Sequence, residues 1–197
     1  MTNTIAFFDF DGTITKKDSL PDFIKFSVGI QAYYLGLLQV SPWLAAFKLG
    51  FISNDKAKKR LWSHFFKGWS IDKLKKQADT YSLEQIDKIS RPEAMAKIRW
   101  HKEMGHKVVI VTASMECWLH KWCLKNDLDL IATKAEVKDG RLTGGFATPN
   151  CNYGEKVKRI KSQYTIEEYD SVFAYGDSPG DKEMLSLARK KYYRLFK

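Results

Sequence analysis

The stretch that most constrains how this chain can fold is residues 4–10, TIAFFDF, which is apolar almost without alternation and stops at Asp11-Gly12. A strand with one wet face alternates apolar and polar residues, whereas a strand covered on both faces of a parallel sheet reads as a continuous apolar run. Similar runs recur at 107–111, 130–133 and 171–175, with a fifth at 192–196. Helix-like stretches separate them. Ser90-Arg91-Pro92-Glu93 combines a capping box with a proline in the first turn, which predicts a helix from there to about Met104. Further helices are expected over 115–126, 155–163 and 181–190. Strand and helix in this alternation imply an α/β fold, a doubly wound parallel sheet of Rossmann type, with its functional loops at the carboxyl ends of the strands. A small antiparallel hairpin is expected to interrupt it, pairing 135–137 with 142–144 through a turn at Lys138-Asp139-Gly140-Arg141.

Residues 16–90 break the alternation, being helix-like, basic and aromatic, and read as a helical cap inserted into a core formed by 1–15 and 91–197. Trp62, Phe65, Phe66 and Trp69 recur at helical spacing and are expected to form the inner stripe of that cap. The most apolar segment, 28–51, is interrupted by Gln31, Gln39, Ser41, Pro42 and Lys48. It is too broken to span a bilayer, and two cap helices meeting near Ser41-Pro42 account for it; contact with a lipid interface is the sharper alternative.

The acids at the strand ends carry the chemistry. Asp9-Phe10-Asp11-Gly12-Thr13 sets two carboxylates two residues apart where the first strand ends and a glycine lets the backbone turn. A carboxylate can attack phosphorus and form an aspartyl-phosphate, which makes Asp9 the candidate nucleophile. Asp11 can then protonate the leaving oxygen and later deprotonate water, a role that requires a raised pKa. Clustered carboxylates repel a phosphate dianion unless a hard cation lies between them, and Mg²⁺ fits that need. Gly176-Asp177-Ser178-Pro179-Gly180-Asp181 follows the fourth strand and supplies further ligands, so the expected metal set is Asp9, Asp11, Asp177 and Asp181. After the second strand, Thr112-Ala113-Ser114 offers a hydroxyl and backbone N–H groups for phosphate oxygens, Ser114 serving equally well as a helix cap. Lys156, after Tyr153-Gly154, adds a positive charge beside a segment in which Lys158, Arg159 and Lys161 are ordinary surface residues.

DFDGT, VIVTAS, the lysine of GEK and GDSPGD, in this order, resemble the four signature motifs of the haloacid dehalogenase-like (HAD) hydrolase superfamily, and the resemblance spans nearly the whole chain. It implies Asp9 as nucleophile, Asp11 as acid/base, Gly12, Thr112, Ala113 and Lys156 around the phosphate, and Asp177 with Asp181 at Mg²⁺. The second acid, Asp11, implies a phosphatase, since the dehalogenases lack it and the phosphate-transferring ATPases carry threonine there. A helical cap after the first motif, followed by the hairpin and LTGGF, resembles subfamily IB, the phosphoserine phosphatase-like branch. There, an early acid and a later base of the cap grip the substrate; Asp18 and Arg60 lie at similar places, although Asp18 can equally cap a helix ahead of Pro21 and Arg60 can lie on a solvated face.

Charge bears on the substrate. The chain carries 33 Lys+Arg against 23 Asp+Glu, and residues 16–90 hold 13 against 7 of these, so the excess leans toward the cap. Such a surface suits an anionic partner, but no arginine-rich arm, zinc-finger spacing or RNP-like motif accompanies it, and no nucleic acid is expected. The leading expectation is a cytoplasmic Mg²⁺-dependent phosphatase of small metabolites, in keeping with three cysteines, an odd number, and a beginning without a basic and apolar leader. Bacterial phosphatidylglycerophosphatases share the apolar cap and basic balance, so a membrane-peripheral lipid phosphatase is the rival within enzymes. A phosphotransferase or mutase, and a non-catalytic anion-binding module on the same fold, are the remaining alternatives. The oligomeric state is not readable from sequence.

Overall fold

In the computed structural model, which describes residues 3–197, the first strand, β1 (Thr4–Phe8), lies at the middle of a five-stranded parallel sheet. β2 (Lys107–Met115) and β3 (Asp129–Thr133) extend the sheet on one side, and β6 (Ser171–Gly176) and β7 (Lys190–Tyr193) on the other. The chain thus leaves β1 in one direction and returns to its other edge, which opens a crevice at the carboxyl ends of β1, β2 and β6.

Side chains alternate across β1 with period two. Ile5 and Phe7 join one buried cluster with Val109, Val111, Val172 and Ala174; Ala6 and Phe8 join the other with Val108, Ile110, Phe173 and Tyr175. Both faces are covered, which is why these strands read as unbroken apolar runs. The first face carries α8 (Gly154–Gln163) and α9 (Lys182–Ser186); the second carries α6 (Pro92–Glu103) and α7 (Glu116–Lys125).

Five helices lie between β1 and α6: α1 (Ser19–Val28), α2 (Ile30–Lys48), α3 (Asn54–Phe66), α4 (Ile71–Glu84) and α5 (Ile86–Ile89). The chain passes into and out of them through a bridge between Thr15 and Ser90, flanked by Lys16 N–H to Ile89 O at 2.8 Å and Arg91 N–H to Ile14 O at 2.7 Å. Trp62 and Phe66 are fully buried, with Phe65 and Trp69 packed against the same cluster, as the helical spacing predicts. Phe23 of α1 stacks on Trp118 of α7 at 4.6 Å, so the insertion is wedged onto the core by aromatic contact. The hairpin is β4 (Ala135–Lys138) with β5 (Arg141–Phe146), and both turn residues, Asp139 and Gly140, have positive φ (50° and 69°), which the Asp-Gly pair accommodates.

Several expected boundaries differ. The second strand runs on through Thr112 to Met115 with a register shift, so Ser114 is a strand residue and caps nothing. Ser90 forms no capping box: its hydroxyl donates to Ile86 O, and α6 starts on Pro92 alone. The fifth strand is Lys190–Tyr193, nearer the amino end than the apolar residues suggested, because an edge strand pairs on one side only and tolerates lysines. The helix expected over 181–190 shortens to Lys182–Ser186 to leave room for it. Residues 30–48 form one helix, not two: Pro42 lies inside α2, and the carbonyl that its missing N–H leaves free, Leu38 O, accepts from the Ser41 hydroxyl at 2.7 Å.

Candidate active site

Asp9 follows the last residue of β1, and its backbone N–H still bonds Tyr175 O of β6 at 2.9 Å. The side chain is thereby fixed at the floor of the crevice. Its Oδ1 accepts from Lys156 Nζ at 2.6 Å, and its Oδ2 from the Thr13 hydroxyl at 3.3 Å. Lys156, on the first turn of α8, is 1% exposed, and its three donor directions are filled by Asp9, Asp181 Oδ1 at 2.7 Å and Val111 O at 2.8 Å. Burial alone would lower the Lys156 pKa, but Asp9 and Asp181 raise it above the ordinary lysine value. Burial raises Asp9 to about 7, outweighing the opposing pull of Lys156. Burial also pushes Asp181 upward, yet Lys156 and the Ser178 groups hold it below the usual carboxylate range.

Asp181 ties its own loop. Its Oδ2 accepts from Asp177 N–H at 3.1 Å, Ser178 N–H at 2.9 Å and the Ser178 hydroxyl at 2.8 Å, a capping box around the turn Pro179–Asp181. Asp177 is held from outside the motif: it accepts from Thr13 at 3.4 Å and from the Lys197 amine. Among the described residues, Asp9, Asp177 and Asp181 form the one group of acids that could hold a metal, their ligand atoms within 4.8 Å of one another. An all-oxygen, buried carboxylate set suits a hard cation such as Mg²⁺. Of the four expected ligands, the Asp11 carboxylate is outside this group.

Asp11 turns instead toward the cap. Its Oδ1 accepts from Ser19 N–H at 2.7 Å, and its Oδ2 from the Ser114 hydroxyl; the Ser114 and Ser19 hydroxyls are themselves 2.9 Å apart. Burial, with the nearby Asp18 charge, raises Asp11 to about 6, against the lowering effect of those hydrogen bonds. Gly12, which follows Asp11, has φ +81°, and a Cβ there would stand 2.5 Å from Asp177 Oδ2, so the close approach of the two motif loops requires glycine.

A cavity of about 320 Å³ opens above these groups. Its floor contains Asp9, Asp11, Thr112, Ala113, Lys156 and Asp181, bringing together residues far apart in sequence; Gly12 and Asp177 line a separate cleft behind the floor. Its roof is apolar, with Leu20, Leu44, Phe47 and Leu61 from the inserted helices. Asp18 lines the cavity and also caps α1 by accepting from Leu20 N–H at 2.9 Å; burial raises its pKa. Arg60 does not reach the cavity: its guanidinium lies over the Trp43 ring at 5.1 Å, on the wall of another depression. The basic residue of the inserted helices that faces the cavity is Lys58, which donates to Ala113 O and to Asn150 Oδ1 at 2.7 Å and is lowered to about 8 by burial, against the pull of Asp11 and Asp18. Helix phase does not choose between them, since Lys58 lies one residue from buried Ala57 and three from Leu61, and Arg60 one from Leu61 and three from Ala57. Thr13, Ser19 and Asn150 were also missed; only contacts between distant loops identify them.

The model of the haloacid dehalogenase-like hydrolase family matches residues 6–186. Protein CicA of Caulobacter vibrioides is 34% identical over 192 residues, which cover 96% of this chain and 85% of that protein. A probable phosphatase of Mycobacterium tuberculosis is 30% identical over 191 residues, 92% of this chain and 65% of its own length. A phosphoserine phosphatase solved as an analogue of its phospho-aspartyl intermediate superposes with a TM-score of 0.68 at 22% identity, over 97% of this chain and 86% of that one. With the family matched over nearly its whole length, this chain belongs to the haloacid dehalogenase-like hydrolases and has the phosphoserine phosphatase-like fold, with a phosphatase's paired acids at the end of its first strand.

Proposed function

We propose that this protein is a Mg²⁺-dependent phosphatase that hydrolyses a small phosphate monoester through an aspartyl-phosphate on Asp9, in the cytoplasm, where its three free cysteines are at home. The observation that carries this is the unlike treatment of two acids two residues apart. Asp9 faces Lys156 and the acid cluster, while Asp11 faces two hydroxyl-bearing serines on the side of the inserted helices; burial raises both carboxyls, so their partners set them apart. Pairs of acids pushed into different environments divide acid/base from nucleophilic work.

In the first step an oxygen of Asp9 attacks phosphorus, the bond from phosphorus to the leaving oxygen breaks, and Asp11 gives that oxygen its proton. In the second, Asp11 takes a proton from water, the water oxygen attacks phosphorus, and the bond from phosphorus to Asp9 breaks to release phosphate. Lys156 holds Asp9 in line through Oδ1, and the Thr112 hydroxyl with the Ala113 backbone can receive the phosphate oxygens. Asp9, Asp177 and Asp181 would hold Mg²⁺, which supplies positive charge against the meeting of a phosphate dianion with three acids. Asp18 and Lys58, of opposite charge on the cap side of the cavity, suit a substrate carrying polar groups beyond its phosphate. Residues 16–90 then act as the cap that selects it.

The test is a panel of p-nitrophenyl phosphate, phosphoserine and phosphatidylglycerophosphate, assayed with Mg²⁺ and with EDTA. Mg²⁺-dependent phosphate release that disappears in Asp9→Asn supports the scheme, and substantial release by Asp9→Asn would remove Asp9 as nucleophile. Preference for the soluble esters supports the small-metabolite reading; preference for the phospholipid overturns it.

A further inference from the structure

The apolar side chains that the fold leaves in water are concentrated on one helix. Along α2 and its C-cap, Ile30, Tyr34, Leu35, Leu38, Pro42, Ala45 and Leu49 fall on one face at helical spacing, interrupted by Gln31 and Ser41 and edged by Lys48. Leu38 and Leu49 are each 71% exposed, and Phe51, in the turn that ends the helix, 79%. A soluble monomer seldom leaves so contiguous an apolar strip open.

Charge says what covers it: no acid occurs between Asp22 and Asp55, while basic residues flank the strip. Lys25 Nζ stands 4.9 Å from the Tyr33 ring and 5.8 Å from the Tyr34 ring, and Lys48 lies in the last turn of the helix. Arg60 covers Trp43, beside Lys56 and Lys59, in a depression where Glu136 is the one acid among the lining residues. Apolar and aromatic groups rimmed by lysine and arginine match an interface of acyl chains beneath anionic headgroups. A second copy of the chain fits less well, because a two-fold contact would set each basic rim against its own image.

We propose that the exposed face of α2, with the turn through Phe51, is a docking surface for an anionic phospholipid membrane. The helix lies on the membrane and does not cross it, in agreement with the finding that no helix among the described residues is long and apolar enough to span. Leu44 and Phe47, turned away from this strip on the same helix, line the catalytic cavity, so α2 separates the docking face from that cavity. This inference stands apart from the phosphatase reading, since binding and turnover are measured separately.

The experiment is co-sedimentation of the whole chain with phosphatidylcholine vesicles and with equimolar phosphatidylcholine–phosphatidylglycerol vesicles, at low and high salt. Wild type is expected to pellet with the anionic vesicles and to be released by salt. Leu38→Glu/Leu49→Glu should weaken partitioning about a hundredfold, roughly tenfold per leucine, and Lys48→Glu/Lys59→Glu should remove the salt dependence. Circular dichroism and p-nitrophenyl phosphate turnover, unchanged in both variants, exclude misfolding. Wild type remaining in the supernatant, or partitioning that survives the leucine substitutions, overturns the proposal. So does a dimer, seen by ultracentrifugation without vesicles, that the leucine substitutions dissociate.

Discussion

Gly12→Ala isolates the contribution of one close approach. At φ +81° an alanine pays a conformational penalty of about 1–2 kcal/mol. Its Cβ would also stand 2.5 Å from Asp177 Oδ2 and 2.9 Å from Asp177 Cγ, so the carboxylate must retreat by about 0.9 Å to reach ordinary contact at 3.4 Å. Asp177 belongs to the acid cluster, and the crowded Oδ2 is the oxygen that accepts from Lys197, so this retreat distorts the cluster that would hold the metal. A displacement near 1 Å costs about a hundredfold in rate when it misplaces a group that must be aligned. The control is Gly140→Ala in the hairpin turn, where φ is +69° and an added Cβ meets nothing within 4 Å. Both variants should lose similar stability in a thermal melt. Only Gly12→Ala should lose kcat/KM for p-nitrophenyl phosphate, by about a hundredfold, with the Mg²⁺ concentration for half-maximal rate moved upward. A Gly12→Ala enzyme with an unchanged Mg²⁺ titration would show that the two loops do not need this contact.

Lys156→Met removes the cation that two buried acids share, at a cost of about 3–5 kcal/mol, which for a chain of this size lowers the melting temperature by roughly 10 °C; a change of under about 2 °C would show that Asp9 and Asp181 take up protons at little cost. Lys58 titrates near 8 because burial lowers it, so its charge is present below pH 8 and lost as pH rises through that value. If it receives an anionic group of the substrate, KM should rise above pH 8 in wild type and stay level in Lys58→Met; parallel profiles would exclude that contact.

What sequence disclosed here was whatever depends on strand ends. A parallel strand buried on both faces reads as an apolar run, and its carboxyl end is where the crevice opens, so Asp9, Thr112 and Asp177 could be placed without coordinates. Lys156 and Asp181 were placed by motif order. What stayed hidden depends on which way a helix or loop faces. Lys58 and Arg60 are two apart on α3 and point to different surfaces, and no feature of KKR says which one meets the cavity. Ser114 looked like a cap because serine before a helix usually is one, but β2 continues past it and its hydroxyl goes to Asp11. Pro42 suggested a break because its lost hydrogen bond is normally costly, and the neighbouring Ser41 supplies the replacement.

These hidden contacts change what the inserted helices do. Asp11 accepts from Ser19 N–H at the start of α1, and Ser19 also lies 2.9 Å from Ser114, the other group that Asp11 engages. On the opposite side, Asn150, just before α8, donates to Asp55 at 2.6 Å and accepts from Lys58 at 2.7 Å, both on α3. These contacts add to the aromatic wedge of Phe23 on Trp118 in fastening the inserted helices to the core, and one of them engages the carboxyl proposed to exchange protons. Because Asp11 is raised by burial and by Asp18, both of which the cap provides, lifting α1 away would return the acid toward water and lower its pKa. In the proposed scheme Asp11 gives a proton to the leaving group, and the enclosed carboxyl holds that proton more readily than an exposed one would. Under the proposed mechanism the insertion would set the readiness of the acid/base group as well as the shape of the cavity, and proton transfer would be coupled to the cap being closed.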